Sequence, residues 1–339
     1  MPVVESHSEV NVAINFSGAR VLITGGLGFI GSTLGIRLAD LGADVLLVDS
    51  LIPEYGGNLF NIRGYEDRLK VNIADVRDEF SMDYLVQGRD FLFNLAGQTS
   101  HIDSMRDPYT DLEINCRAQL SILEACRKQN PRIKIVYAST RQIYGKPDYV
   151  PVDERHLLHP ADVNGINKMA GEWYHILYNN VYGIHAVSLR LTNTYGPRMR
   201  VKDARQTFLG IWIRRLIEDE SIEVWGDGTQ IRDFNYVDDV VDAMLLAATT
   251  DDVNGSIFNL GSDETINFRD LAELCMEVSG AGSYQIIPYP PDRKPIDIGD
   301  YYADYRRIRG KLGWTPKINL REGLTRTLVY YRQYREHYW

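Results

Sequence analysis

The chain has 339 residues, 44% hydrophobic and 24% charged, which is the makeup of a globular protein with material for one large core or two modest ones. A net charge of −9 argues against a general binder of nucleic acid or anionic membrane, since both need a basic field, so any phosphate must be gripped locally. Cys116, Cys126 and Cys275 are odd in number and lack C-x-x-C spacing, so neither a disulfide framework nor a metal site is expected, and buried thiols in a reducing cytoplasm are the simpler reading.

Residues 1–17 mix charged and polar positions and read as a short leader. No apolar run approaches the roughly 20 residues that span a bilayer. Residues 19–24 form a short apolar run ended by glycines, residues 29–41 show helical periodicity, and residues 44–49 are again apolar. Strand, helix, strand is the opening of a parallel sheet, and the pattern recurs: residues 91–95 as strand, 112–128 as helix, 134–138 as strand, 168–182 as helix, 186–190 as strand. Strands buried on both faces need no polar alternation, which explains the uniform apolarity of these runs. The expected fold is therefore α/β, a Rossmann-type doubly wound parallel sheet spanning residues 18–191. After Thr192 the texture changes to shorter elements and Pro-rich stretches such as Pro288-Tyr289-Pro290-Pro291. Residues 192–234 and 261–339 read as a smaller α/β substrate-binding domain, with 235–260 returning to the first.

Thr24-Gly25-Gly26-Leu27-Gly28-Phe29-Ile30-Gly31 sits between the first strand and helix. Gly25 and Gly26 permit a tight turn, Gly28 lets backbone approach a pyrophosphate, and Gly31 lets the helix pack close to the strand. Unpaired N–H groups and the dipole at the helix start favour the anion. Asp49 ends the second strand, near the offset expected of a carboxylate that holds ribose hydroxyls, and its charge would repel a 2′-phosphate. These residues predict NAD as cofactor in preference to NADP.

Further motifs follow in order: Asp75-Val76, Leu95-Ala96-Gly97, Ala138-Ser139-Thr140 before Tyr144-Gly145, Asn193-Thr194-Tyr195-Gly196-Pro197, Gly226-Asp227-Gly228 through Arg232-Asp233, and Leu312-Gly313-Trp314-Thr315-Pro316. With them the chain resembles, over nearly its whole length, the extended short-chain dehydrogenase/reductases that act on nucleotide sugars, a group of epimerases, dehydratases and decarboxylases. The resemblance implies that Asp75 and Val76 frame the adenine, that Leu95, Ala96 and Gly97 line the cofactor, and that Lys168 holds the nicotinamide ribose. It also implies that Asn193 contacts a sugar diphosphate while Arg232 and Arg293 close on the nucleotide phosphates; a guanidinium can clamp phosphate oxygens through two parallel bonds. Arg232 could instead be a surface arginine paired with Asp233 or Asp238. Relatives commonly dimerise through two helices per subunit, here residues 111–128 and 168–182, so a homodimer is expected.

The departures from the family pattern bear on chemistry. In the family a tyrosine four residues before the lysine, helped by a serine or threonine, removes a proton from a sugar hydroxyl while hydride passes to NAD. Thr140 and Lys168 are present, but the tyrosine position holds Asn164, whose amide does not titrate near neutral pH. Dehydratases of this group carry Asp-Glu after the threonine; here Arg141-Gln142 stand there, which disfavours a 4,6-dehydratase. The stretch from Leu95 to Asn115 resembles the 2-epimerases of CDP-deoxysugars. Candidates for a replacement base are Tyr144, one turn past Thr140, whose place in the family is usually structural packing, and His101, whose imidazole can act near neutral pH but as a lone histidine could be merely solvated. His156, His159 and Asp162 are further possibilities, although Asp162 also suits a helix cap.

Three functions stay open on this reading: an NAD-dependent nucleotide-sugar epimerase with a non-tyrosine base, a dehydratase with unusual acid and base residues, and a catalytically reduced binder of NAD and a sugar nucleotide. The aromatic C-terminus from Tyr330 to Trp339 is expected to pack on the protein rather than to stack nucleic-acid bases.

Overall fold

The computed structural model describes residues 15–52, 54–205 and 207–339, so most of the expected leader lies outside the described residues. Phe16, assigned to that leader, is already core: it is 1% exposed and meets Phe91 edge-on at 5.0 Å between ring centroids.

The apolar runs form β1 (Arg20–Thr24), β2 (Asp44–Asp49), β3 (Leu69–Ile73), β4 (Phe91–Asn94), β5 (Lys134–Thr140) and β6 (Ala186–Leu191). Later strands are β7 (Asn193–Tyr195), β8 (Ser221–Trp225), β9 (Ile231–Tyr236), β10 (Ile257–Asn259), β11 (Thr265–Asn267) and β12 (Ser283–Ile287). Seven strands make one parallel sheet in the order β10-β6-β5-β4-β1-β2-β3. Successive residues of β1 go to opposite faces: Leu22 joins Leu46, Leu92 and Ile135 in one core, and Ile23 joins Leu47, Phe93 and Val136 in another. Strand order reverses between β1 and β4, so the turns after these strands diverge and leave a crevice at their carboxyl ends.

Helices α1 (Phe29–Asp40), α2 (Glu79–Leu85), α3 (His101–Arg106), α4 (Pro108–Leu112), α5 (Ala118–Gln129) and α6 (Val163–Tyr182) fall among the first six strands. The helix expected over residues 112–128 is interrupted by a π-turn at Glu113–Arg117. A wide turn shifts the helical phase, and here Asn115 is fully buried. In α6 the helix begins at Val163, earlier than residue 168, because the Asp162 carboxylate accepts the Gly165 N–H at 2.7 Å as an N-cap. Asn164 and Lys168 thus share one helix, a turn apart.

After β7 come α7 (Phe208–Ile217), α8 (Val237–Thr249), α9 (Phe268–Ser279), α10 (Arg306–Leu312) and α11 (Leu320–Tyr334). β7 and β11 flank β9 in a small mixed sheet, and β8 pairs with β12. A separate core gathers Trp212, Leu216, Ile222, Leu271, Leu324 and Tyr331. The C-terminal aromatics pack on the same chain: Phe60 stacks on His337 at 3.7 Å and the Tyr338 hydroxyl donates to Asn61 Oδ1 at 2.6 Å.

Candidate active site at the sheet crossover

A cavity of about 400 Å³ opens at the reversal between β1 and β4. Gly25, Gly28, Phe29, Ile30 and Gly31 line it from the first turn, Asp49 from β2, Asp75 and Val76 after β3, and Leu95, Ala96 and Gly97 after β4. Gly25 has φ +68°, a left-handed value that favours glycine. A Cβ on Gly31 would stand 2.2 Å from the Gly25 carbonyl oxygen, so only glycine allows this close approach of helix to turn. Gly28 caps α1 without any side-chain bond to the exposed N–H groups. Asp49 accepts the N–H groups of Leu27 at 3.1 Å and Leu51 at 2.9 Å, and burial pushes its carboxyl above the usual range in spite of them. Asp75 is held by Arg77 at 2.6 Å and lies below its ordinary value through that bond.

Lys168 reaches the same cavity from α6, its Nζ donating to the Ala138 carbonyl at 2.5 Å beside the Tyr137 ring. Burial pushes the ammonium down to about 8, against the pull of Asp111 and Glu172. Asn164 is 3% exposed, and its Nδ2 donates to the Gln98 carbonyl at 2.8 Å and to Asp111 Oδ2 at 3.1 Å. Asp111 is itself fully buried, and it also receives Asn115 Nδ2 at 3.0 Å and Asn167 Nδ2 at 2.8 Å. Three asparagine amides therefore satisfy one buried carboxylate, as burial of such a group requires. Asn164, at the expected catalytic position, lines the cavity with its amide committed to Gln98 and Asp111.

Thr140 ends β5 at the cavity wall, and its Oγ1 accepts the Gln142 N–H at 3.2 Å. Tyr144, a candidate base, is not at the wall. Its hydroxyl is fully buried, donating to Asn259 Oδ1 at 2.7 Å and accepting Arg190 Nη1 at 2.6 Å, while Arg190 pairs with Glu172. Burial pushes this phenol up to about 12, which speaks against the base and leaves the structural alternative. His156 is also buried away from the cavity, with Nε2 accepting the Asp148 N–H, and His159 does not line it.

His101 does line the cavity, at the start of α3, and its Nδ1 lies 2.9 Å from Asp162 Oδ2. The same oxygen accepts Gln142 Nε2 at 2.9 Å. Burial alone would raise the Asp162 carboxyl, but His101, the Gly165 N–H and the Gln142 amide together hold it below its ordinary value. A glutamate at position 142 would place a second carboxylate against Asp162, so the amide is what this arrangement needs.

On the far side, Asn193 and Arg293 line the cavity, and Arg293 lies over the Trp225 ring at 4.7 Å. Arg232 does not line it. Its guanidinium donates to the carbonyls of Ile231 and Gly299 and lies 3.7 Å from Asp297, so it is neither a surface residue nor paired with Asp233 or Asp238. Burial pushes Arg232 down to about 10. Sequence reasoning missed the Asp111 cluster and the entry of Arg141 into the cavity wall. Asp111 and Asn115 stand four apart and Asn164 and Asn167 three apart, a spacing of shared helix faces that could have flagged the cluster.

A model described as the NAD dependent epimerase/dehydratase family matches residues 21–261. The chain belongs to this family. Over 91% of its length it is 34% identical to a protein named putative UDP-glucose 4-epimerase from Methanocaldococcus jannaschii, 97% of which is covered. The solved UDP-glucose 4-epimerase of Thermotoga maritima with UDP-glucose superposes with TM-score 0.85 at 31% identity, covering 93% of this chain and 99% of that one. The Thermus thermophilus UDP-glucose 4-epimerase in complex with NAD gives TM-score 0.81 at 29% identity over 92% and 99% of the two chains. This member of the NAD-dependent epimerase/dehydratase family thus has an epimerase-like place among nucleotide-sugar proteins. NAD is its cofactor, and the glycine turn, uncapped α1 start and Asp49 present a cradle that fits it. Among the described residues no helix is long and apolar enough to cross a membrane.

Proposed function

We propose that the chain is an NAD-dependent epimerase of a nucleoside diphosphate sugar, that Asn164 stands where the family has its tyrosine, and that His101, oriented by Asp162, is the base. The observation that carries this is the 2.9 Å contact between His101 Nδ1 and Asp162 on the cavity wall, together with the commitment of the Asn164 amide to Gln98 and Asp111. A carboxylate beside Nδ1 would favour the tautomer in which Nε2 takes the sugar hydroxyl proton. Thr140 accepts from Gln142 through its oxygen, so its hydroxyl hydrogen is free to donate to the sugar oxygen. Lys168 contributes positive charge beside it. NAD, when bound, would supply the acceptor for hydride from the sugar carbon and the donor for its return to the other face. His101 gives its proton back in that return.

Leu95, Ala96, Gly97, Asp75 and Val76 are assigned to the cofactor, and Asp49 to its ribose hydroxyls. Asn193 and Arg293 are assigned to the sugar diphosphate, Trp225 giving the nucleotide end an aromatic wall. Arg232, which does not line the cavity, is left out of the phosphate contacts. Residues 192–234 and 261–339 then form the substrate-binding part, closing over the nucleotide sugar held against the large sheet.

Transient NADH absorbance on adding UDP-, GDP-, CDP- or dTDP-sugars to the NAD-loaded protein tests this reading. No absorbance change with any sugar that binds would favour the catalytically reduced homologue, which the pinned Asn164 also accommodates. We further infer a homodimer. On α6, Ile166, Trp173 and Leu177 are each about half exposed at helical spacing, and Tyr109 and Leu112 expose apolar surface on α4. Light scattering that finds a monomer at micromolar concentration would remove the inference.

A further inference from the structure

We propose that the nucleotide sugar accepted by this chain carries a carboxylate on its sugar, and that Arg141 binds it. The proposal rests on the nucleotide-sugar reading above and names the substrate class of that site.

Arg141 follows Thr140 directly and lines the cavity. Thr140 is the residue assigned to the sugar oxygen, and the bond of Arg141 to Asn193 puts it between that oxygen and the diphosphate. Its one hydrogen bond among the described residues runs from Nη2 to Asn193 Oδ1 at 2.7 Å, a neutral acceptor, and its guanidinium lies 5.5 Å from the Tyr301 ring centroid. No described carboxylate forms an ion pair with it.

Three carboxylates are near enough to act on its charge, and each is committed elsewhere. Asp233 accepts the Thr192 hydroxyl and the Ala303 N–H. Asp162 holds His101, Gly165 and Gln142. Asp297 accepts Gln230 Nε2 at 2.6 Å and lies against Arg232. Another arginine of the cavity wall, Arg205, has its own carboxylate in Asp103 at 3.1 Å. A partly buried guanidinium without a counter-anion is costly, and most of its five N–H donors remain to be used. A planar fork of this kind matches a carboxylate through two parallel bonds.

A diphosphate could supply the anion, but Arg293 already faces the cavity for that purpose, also without a described carboxylate partner. The charge at position 141 is moreover opposite to that of the Asp-Glu pair of dehydratases. An acidic pair there would repel a sugar carboxylate; Arg141 accepts it.

The test uses the NAD-loaded full chain and calorimetric titration with matched pairs that differ only in CH₂OH against carboxylate: UDP-glucose with UDP-glucuronate, UDP-galactose with UDP-galacturonate, GDP-mannose with GDP-mannuronate. In at least one pair the acid should bind about tenfold or more tighter. Arg141→Gln should bring that ratio close to one, and Arg141→Lys should restore part of it. Equal or weaker binding of the acid in every pair by the unaltered protein overturns the proposal, whether or not the variants fold. So does an Arg141→Gln variant that weakens both members of a pair by the same factor, which would assign the guanidinium to the diphosphate. If none of the sugars and none of UDP, GDP, CDP and dTDP binds, the nucleotide-sugar reading itself falls. Binding of these diphosphates with no preference for acids removes only the present inference.

Discussion

His101 Nδ1 lies 2.9 Å from Asp162 Oδ2, and the other oxygen of that carboxylate caps the helix that carries Asn164 and Lys168. One side chain therefore both orients an imidazole and sets the start of the helix beneath it. Replacing His101→Gln should lower kcat by about 10²- to 10⁴-fold, the usual contribution of a positioned acid–base group. Asp162→Asn keeps an N-cap but loses the charge beside the imidazole, so it should lower kcat with little change in helix content. Steady-state assays on the best sugar, with circular dichroism as control, check both. Full turnover in His101→Gln would remove the proposed base.

Asp162 also makes stability depend on acid pH. Its folded carboxyl lies below the ordinary 3.8, so its contribution is fully present above that value and is lost as pH falls through the lower folded value. Asp162→Asn should therefore flatten the acid limb of the stability curve relative to the unaltered protein. Denaturant titrations between pH 7 and the acid transition would show it; parallel curves would contradict it.

Placing a tyrosine at position 164 should not create the family chemistry. Asn164→Tyr removes the donor to the Gln98 carbonyl and to Asp111 and forces a phenol into a position 3% exposed. The lost donors alone should cost about 1–3 kcal/mol, and turnover should fall. A gain in hydride transfer, read by NADH absorbance, would mean the site has drifted rather than reorganised.

Tyr144→Phe separates structure from chemistry. Without the hydroxyl, Asn259 and Arg190 each lose a buried partner, at about 1–3 kcal/mol of stability. Turnover per folded molecule should hold, since the phenol does not line the cavity. A large fall in kcat with unchanged stability would return Tyr144 to the list of bases.

Binding of the dinucleotide should respond to two positions in opposite ways. Gly31→Ala brings a methyl to 2.2 Å from the Gly25 carbonyl oxygen, so the turn must shift and affinity for both NAD and NADP should drop. Asp49→Ala should instead narrow the preference for NAD by removing the charge that opposes a 2′-phosphate. Calorimetry with both cofactors decides, and equal affinities in the unaltered protein would refute the role of Asp49.

Much of the framework could be read along the chain. The runs that became β1, β2, β4, β5 and β6 are apolar because both faces of a parallel strand are buried, and that constraint acts residue by residue. The glycine turn is equally local: φ +68° at Gly25 and the close packing at Gly31 are demands of a few consecutive residues, so the cofactor motif is visible without a fold. The family pattern named Thr140, Lys168 and Asn193, and all three reach the cavity.

What the linear order determined was therefore the sheet, its cofactor turn and the absence of a tyrosine at Asn164. The use of that asparagine was decided only by tertiary structure. Whether a buried amide or carboxylate is inert, catalytic or unsatisfied depends on which partners surround it once water is gone, and those partners come from distant segments. Asp111 meets Asn164 and Asn167 from α6, His101 meets Asp162, and Tyr144 is drawn away from the cavity by Arg190 and Asn259. The parallel sheet brings the ends of β4 and β5 side by side, and the π-turn at Glu113–Arg117 shifts the phase that periodicity would have assumed. These contacts are set by three-dimensional packing; spacing along the chain can mark such residues but does not name their partners.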